Sequence, residues 1–191
     1  MSDDEEVVPP TIDRLLAVLD VEQLDRDLFR SPEARGHHPG ARLFGGQVAA
    51  QSLRAATLTV DGEHHPHSLH GYFLRPGDPE RPLLLHVDRI RNGSSFTTRR
   101  GVAVQAGEAI FSLSCSFHKD EDGGEYAPTM PAGIPAPDDP DAEWDETIFS
   151  EFNRRSPFET RELPMDPRDA EGRFGSTRRI WIRTRGALPE D

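Results

Sequence analysis

Residues 42–52 read Arg-Leu-Phe-Gly-Gly-Gln-Val-Ala-Ala-Gln-Ser, and this stretch decides the fold. Two adjacent glycines, Gly45 and Gly46, turn a loop into a helix expected from near Gly46 to near Thr59. Ala49, Ala50, Ala55 and Ala56 leave little bulk, while Val48, Leu53 and Leu58 supply an apolar stripe at near-helical spacing. Such a helix can lie close against a sheet. Glycines leave its first turn unobstructed, so unpaired N–H groups and the positive dipole end can face a ligand oxygen. A Gly-Gly pair before a helix is also ordinary turn chemistry, so the stretch takes its meaning from its neighbours.

Four extended runs follow it. His67–Leu74 closes on Arg75-Pro76-Gly77-Asp78, a turn sequence, and Leu83–Arg91 closes on the hairpin signal Asn92-Gly93. Ser95–Val104 carries Phe96, Thr98, Val102 and Val104 on one face. In Glu108–His118, Ala109, Phe111, Leu113, Cys115 and Phe117 alternate with Ile110, Ser112, Ser114 and Ser116. Upstream, Thr11 caps a short helix whose one face holds Ile12, Leu15, Leu16 and Leu19, and Leu24–Phe29 reads as a first strand. One helix and an antiparallel meander predict an α+β layer, the helix wrapped by the sheet. Acidic residues 1–10 read as a disordered tail and residues 120–150, rich in Gly, Pro and Asp, as a linker. Phe158–Leu163 and Thr177–Thr184 read as two further strands, too few for an independent domain, so residues 151–191 look like the opening of a second unit.

Composition narrows the function. With 191 residues at a net charge of −12, general binding to nucleic acid or to an anionic membrane is disfavoured. The single cysteine, Cys115, permits no internal disulfide and suits a reducing compartment. No apolar run is long enough to span a bilayer and no leader pattern opens the chain, so a cytoplasmic location without membrane insertion is expected. There is no P-loop, no dinucleotide glycine pattern, no Gly-x-Ser-x-Gly elbow and no cysteine metal pair.

Five segments, in order and spacing, resemble the acyl-CoA thioesterase II family, the double hot-dog thioesterases. They are Leu43-Phe-Gly-Gly-Gln-Val-Ala-Ala-Gln-Ser-Leu53, His67-Ser-Leu-His-Gly-Tyr-Phe-Leu-Arg-Pro-Gly-Asp78, Arg89-Ile-Arg-Asn-Gly-Ser-Ser-Phe-Thr-Thr-Arg-Arg100, Ile110-Phe-Ser-Leu-Ser-Cys-Ser-Phe117 and Ile180-Trp-Ile-Arg183. The resemblance implies a hot-dog domain over residues 11–119 and the first strands of a second one over 151–191. It implies an acyl-CoA substrate cleaved to free fatty acid and coenzyme A, with neither metal nor redox cofactor. Pairing of hot-dog sheet edges implies a homo-oligomer. The family's aspartate, Ser or Thr, and Gln lie on the second hot-dog domain, which places them beyond Asp191, so no catalytic triad is carried onto this chain. His67 is the counterpart of a histidine tied to activity in the family and is the one catalytic candidate, beside a structural role holding a strand to the helix.

Thioester hydrolysis needs a base for water and donors for the developing oxyanion. Phe44, Gly45, Gly46 and Gln47, at the helix start, are the candidates for substrate contact. His67 and His70 are read as pointing to one face of their run, without the third ligand a metal would require, and His70 is a further candidate for substrate contact. Tyr72 and Phe73 lie on opposite faces, so one of them lines the acyl channel. Arg89, Arg91, Arg99 and Arg100 cluster around the Asn92-Gly93 turn, and Arg91 and Arg99 are candidates for the coenzyme phosphates, with a solvated charged rim as the other reading. The alternative function is a non-catalytic module that binds acyl-CoA or only dimerises. A hot-dog dehydratase is set aside, because no Asp and His pair stands on the long helix.

Overall fold

The computed structural model describes residues 12–32, 42–145, 156–164 and 177–189. The expected cap at Thr11, the acidic tail and the end of the linker lie outside the described residues. Two compact units are present: residues 16–124, and a second that takes in residues 12–15 and the described residues from Glu125 onward.

The first unit opens with α1, Ile12–Leu19, which reaches into it, and then a short hairpin, β1 (Glu22–Asp25) and β2 (Leu28–Arg30). The single strand expected at Leu24–Phe29 is thus broken by a turn at Arg26-Asp27, where Arg26 N–H binds the Asp25 carboxylate at 2.7 Å. The long helix α2 spans Gly45–Thr57, and β3 (His64–Phe73), β4 (Leu84–Asn92), β5 (Phe96–Gln105) and β6 (Glu108–Lys119) follow. All neighbouring strands are antiparallel, in the order β1-β2-β4-β5-β6-β3, so β3 crosses over to form one edge. Helix α2 packs on β3, β4, β5 and β6, giving the helix wrapped by an antiparallel sheet.

The small face of α2 is what allows this approach. Ala55 and Ala56 are fully buried and Val48 nearly so, against Leu85, Val87, Ala103, Phe111, Leu113, Cys115 and Phe117 of the sheet. Burying each large apolar side chain contributes about 1.5–3 kcal/mol. Cys115 belongs to this core, and burial pushes its thiol up to about 11, so it packs as a small apolar group.

Of the irregularities that depart from simple alternation, those in β3 and between β5 and β6 bear most on the site. In β5 the inward residues are Thr97, Arg99, Gly101, Ala103 and Gln105, so the apolar set Phe96, Val102 and Val104 faces outward with Thr98. The register between β5 and β6 slips between Ala103 and Val104, with Ile110 left unpaired as the extra residue. Ile110 and Phe111 are therefore both buried, whereas strict period two sets them on opposite faces. A second slip lies in β3 between Pro66 and Ser68, with His67 as the extra residue. At the start of that strand His64 is buried, its Nδ1 2.6 Å from Asp61 Oδ1.

In the second unit, β7 (Phe158–Glu162) and β8 (Ile180–Thr184) pair as an antiparallel ribbon. Trp181 Nε1 donates to Pro135 O at 3.1 Å, and the buried Glu162 carboxylate receives Arg178. Residues 120–145, from the expected linker, are irregular and mostly exposed.

Candidate active site

A pocket of about 320 Å³ opens at the N-terminal end of α2. Its apolar wall is Leu43, Val48, Phe73, Leu74, Pro76 and Ile110, with Gly45 and Gly77 between them and Arg42 and Arg75 as its charged members. The loop before α2 is fixed by Leu43 N–H, which donates to Gly77 O at 3.0 Å. The turn after β3 is fixed by Leu74 and Arg75 N–H groups, which both donate to Ile110 O, at 2.8 and 3.3 Å. The unpaired residue of β6 thus supplies a wall of the pocket and anchors its facing loop. Gly77 is needed because a Cβ there would meet Leu43 Cδ1 at 2.8 Å.

The first turn of α2 leaves two donors open. The N–H groups of Gln47 and Val48 both reach Phe44 O, at 3.0 and 3.2 Å. Those of Gly45 and Gly46 have no partner among the described residues, and the start of the helix carries no side-chain cap. Unpaired amides at a positive helix end beside an apolar pocket form a receptor for a negatively charged or strongly polarised oxygen.

Of the candidates named from sequence, Gly45 and Phe73 line this pocket. Phe44 is 71% exposed and lays its ring by Gly46, outside the lining, while Gln47 is half-buried on the same turn. Phe73 is the inward member of the Tyr72–Phe73 pair: it sits opposite the buried Phe111, with ring centroids 4.7 Å apart, while Tyr72 sits opposite Ser112. His70 lies on that outer side, its ring 4.8 Å from Tyr72.

His67 does share a face with His70, but for a reason that spacing alone does not supply. Residues three apart in a regular strand point to opposite sides; the extra residue at position 67 brings both to the outer face. There His67 Nε2 lies 2.9 Å from Ser116 Oγ, with Phe96 and His118 beside it, on the side of the sheet away from α2. It does not brace the strand against the helix.

The arginine cluster also separates. Arg89 pairs with Asp27 at 2.8 Å and Arg100 with Asp88 at 2.7 Å. Arg99 points inward at 2% exposure and donates to Thr59 Oγ1, Thr59 O, Arg91 O and Thr98 O at 2.6–3.0 Å. Burial holds its guanidinium below the usual arginine range, and all of these acceptors are neutral. An arginine so placed is a buried cap on the end of α2, not a surface contact for a phosphate, which corrects the expectation for Arg99. Arg91 remains exposed.

Sequence reasoning missed Arg42, Leu43, Leu74, Arg75, Pro76, Gly77 and Ile110 as pocket residues. Arg75-Pro76-Gly77 was legible as a turn, but nothing in its spacing says that it faces the start of α2. Arg75 is held by Glu108 at 2.9 Å and by Ala109 O at 2.7 Å. Among the described residues no group of three or more His, Cys, Asp or Glu side chains is placed to hold a metal ion, and no helix is long and apolar enough to cross a membrane.

Residues 34–118 match the family described as the acyl-CoA thioesterase N-terminal domain. The chain is 35% identical to human acyl-coenzyme A thioesterase 8, over 91% of this chain and 59% of that protein. It is 30% identical to acyl-CoA thioesterase 2 of Haemophilus influenzae, over 94% of this chain and 65% of that one. Among solved structures, an acyl-CoA thioesterase II, TesB2, from Mycobacterium marinum superposes with a TM-score of 0.71 at 39% identity, over 92% of this chain and 62% of that one. At 59%, 65% and 62% of their lengths, the chain spans less than two thirds of each of these three proteins.

Proposed function

We propose that this chain, whose residues 34–118 match the acyl-CoA thioesterase N-terminal domain and fold as a helix wrapped by an antiparallel sheet, hydrolyses, as part of a paired assembly, the thioester of an acyl-CoA to a free fatty acid and coenzyme A. The observation that carries this reading is an apolar pocket lined by Gly45, on the first turn of α2, where the Gly45 and Gly46 N–H groups have no partner among the described residues.

In this reading the acyl chain lies along Leu43, Val48, Phe73 and Ile110, and the thioester carbonyl points at the first turn of α2. Water adds to the carbonyl carbon as a base removes its proton. The negative charge that gathers on the carbonyl oxygen is met by the Gly45 and Gly46 N–H groups and the positive end of the helix. Collapse of the tetrahedral species breaks the C–S bond, and the coenzyme thiolate leaves and takes up a proton. Gln47, on the same turn, supports the carbonyl end. Arg42, on the pocket wall, and the exposed Arg91 are offered to coenzyme phosphates, whereas Arg89 and Arg100 are tied in ion pairs.

None of the pocket's lining residues carries a carboxylate or an imidazole. We therefore assign the water-activating base to a second hot-dog unit, and take residues 11–119 as one hot-dog domain, 120–150 as a linker and 151–191 as strands of another. The outer edge of β3 bears no strand partner among the described residues, and an unpaired edge favours association. Homo-oligomerisation through that edge follows. A single buried cysteine supports a reducing compartment, and we propose the cytoplasm.

The test follows thiol release from acyl-CoAs of graded length while sedimentation measures association. Turnover by this chain is expected to be low when it is alone, whether monomeric or self-associated, and to rise when it is joined to a complete second hot-dog unit. Robust turnover by a monomer would overturn the assignment of the base to another unit. Binding without turnover at any concentration would leave the second reading, a non-catalytic acyl-CoA-binding module, which the absence of a base from the pocket wall favours.

A further inference from the structure

The pocket wall contains one side chain that can act as a stop. Phe73 is 62% exposed, yet its ring is held between neighbours that have been cut back for it. A Cβ on Gly45 would stand 3.0 Å from Phe73 Cε1 and Cζ, so the helix has no side chain where the ring lies. On its other side Phe73 contacts Phe111, the rings tilted at 36°, and a Cβ on Gly71 would stand 2.6 Å from Phe111 Cζ. Two rings are thus stacked between two glycines, one on α2 and one on β3. Phe111 is sealed in the core, whereas Phe73 faces the pocket.

We infer that Phe73 determines acyl-chain length: its ring is the wall against which the growing chain ends, and Gly45 sets where that ring rests. This rests on the acyl-CoA reading of the same pocket. Deleting the ring joins the pocket to the space between Gly45 and Phe111. A bulkier residue at position 45 drives the ring into the pocket and shortens it. Phe73 meets only the acyl chain, so its replacement appears as a change in length preference; Gly45 also offers its N–H to the carbonyl oxygen, so Gly45→Ala is read through binding length alone.

The experiment is calorimetric titration with non-hydrolysable S-alkyl coenzyme A thioethers of about four to sixteen carbons. The wild-type chain is expected to show an optimum length. Phe73→Ala moves it to longer chains, each newly accommodated methylene strengthening binding about fourfold. Phe73→Leu moves it less, and Gly45→Ala moves it to shorter chains. Phe96→Ala, on the outer face of the sheet, leaves the profile where it was. Should Gly45→Ala fail to fold, Phe73→Trp makes the same shortening test. Binding with an unchanged length profile in every Phe73 variant would overturn this inference and leave the proposed function standing. Failure of the wild-type chain to bind any thioether would overturn both.

Discussion

Arg99 carries a full positive charge into the interior with no carboxylate among its hydrogen-bond partners. What compensates it is geometry. Its fork reaches the carbonyl and hydroxyl of Thr59, just beyond the last turn of α2, at the negative end of the helix dipole. Arg99→Leu leaves those acceptors buried and unpaired and is expected to cost about 2–4 kcal/mol of stability, read by denaturant unfolding. Arg99→Lys recovers only part of the loss, because one ammonium cannot span four acceptors. A leucine variant as stable as wild type would refute this role. Spacing put Arg99 in a cluster with Arg89, Arg91 and Arg100; the alternation of β5 is enough to divide Arg99 from Arg100. Its partner, forty residues earlier in the chain, is set by the fold and has no local signature.

Among elements, α2 and β3 both contain glycines, and the two are not equivalent. A Cβ at Gly46 would meet Phe44 Cε1 at 2.5 Å, but Phe44 is an exposed ring free to swing away. Gly46→Ala is thus expected to stabilise the chain by about 0.5–1 kcal/mol, since alanine loses less backbone entropy than glycine in a helix. A Cβ at Gly71 would meet the sealed Phe111 ring at 2.6 Å and Ser112 O at 3.2 Å, and neither can yield. Gly71→Ala is expected to destabilise by about 1–3 kcal/mol. Paired thermal melts decide it, and equal midpoints would contradict the distinction. The helix was legible to within two residues at its ends because glycines and the apolar stripe mark it locally. Strand existence was legible from alternation. The extra residues His67 and Ile110 were not, since a sequence pattern counts residues but does not show where one strand skips a partner.

For the whole molecule, the boundary between the two compact units at Gly124 and Glu125 falls in the stretch that composition marked as linker. Glycine, proline and aspartate leave little apolar surface to bury there, and that was readable without a fold. The arrangement of β7 and β8 as a pair was readable only as two extended runs. Of the chain's two tyrosines, Tyr72 lies within a hydrogen-bonded strand while Tyr126 is 92% exposed in irregular backbone. Limited chymotrypsin digestion is expected to cut early after Tyr126 and leave a resistant piece holding the six-stranded sheet. Early cleavage after Tyr72, identified by mass spectrometry, would mean that β3 is not held as described.

The surplus residue in β3 has a consequence for how this strand tolerates change. Most substitutions at position 67 alter only a solvent-side contact, and loss of that single codon would leave Pro66 opposite Phe117 and Ser68 opposite Ser116, so the ladder would close up with its faces kept. A residue added between His64 and Pro66 is different: it would turn His64 from its burial beside Asp61 into water and force its outward neighbour inside. Position 67 is thus permissive to spelling and to its own loss, while the arm before it is intolerant of length.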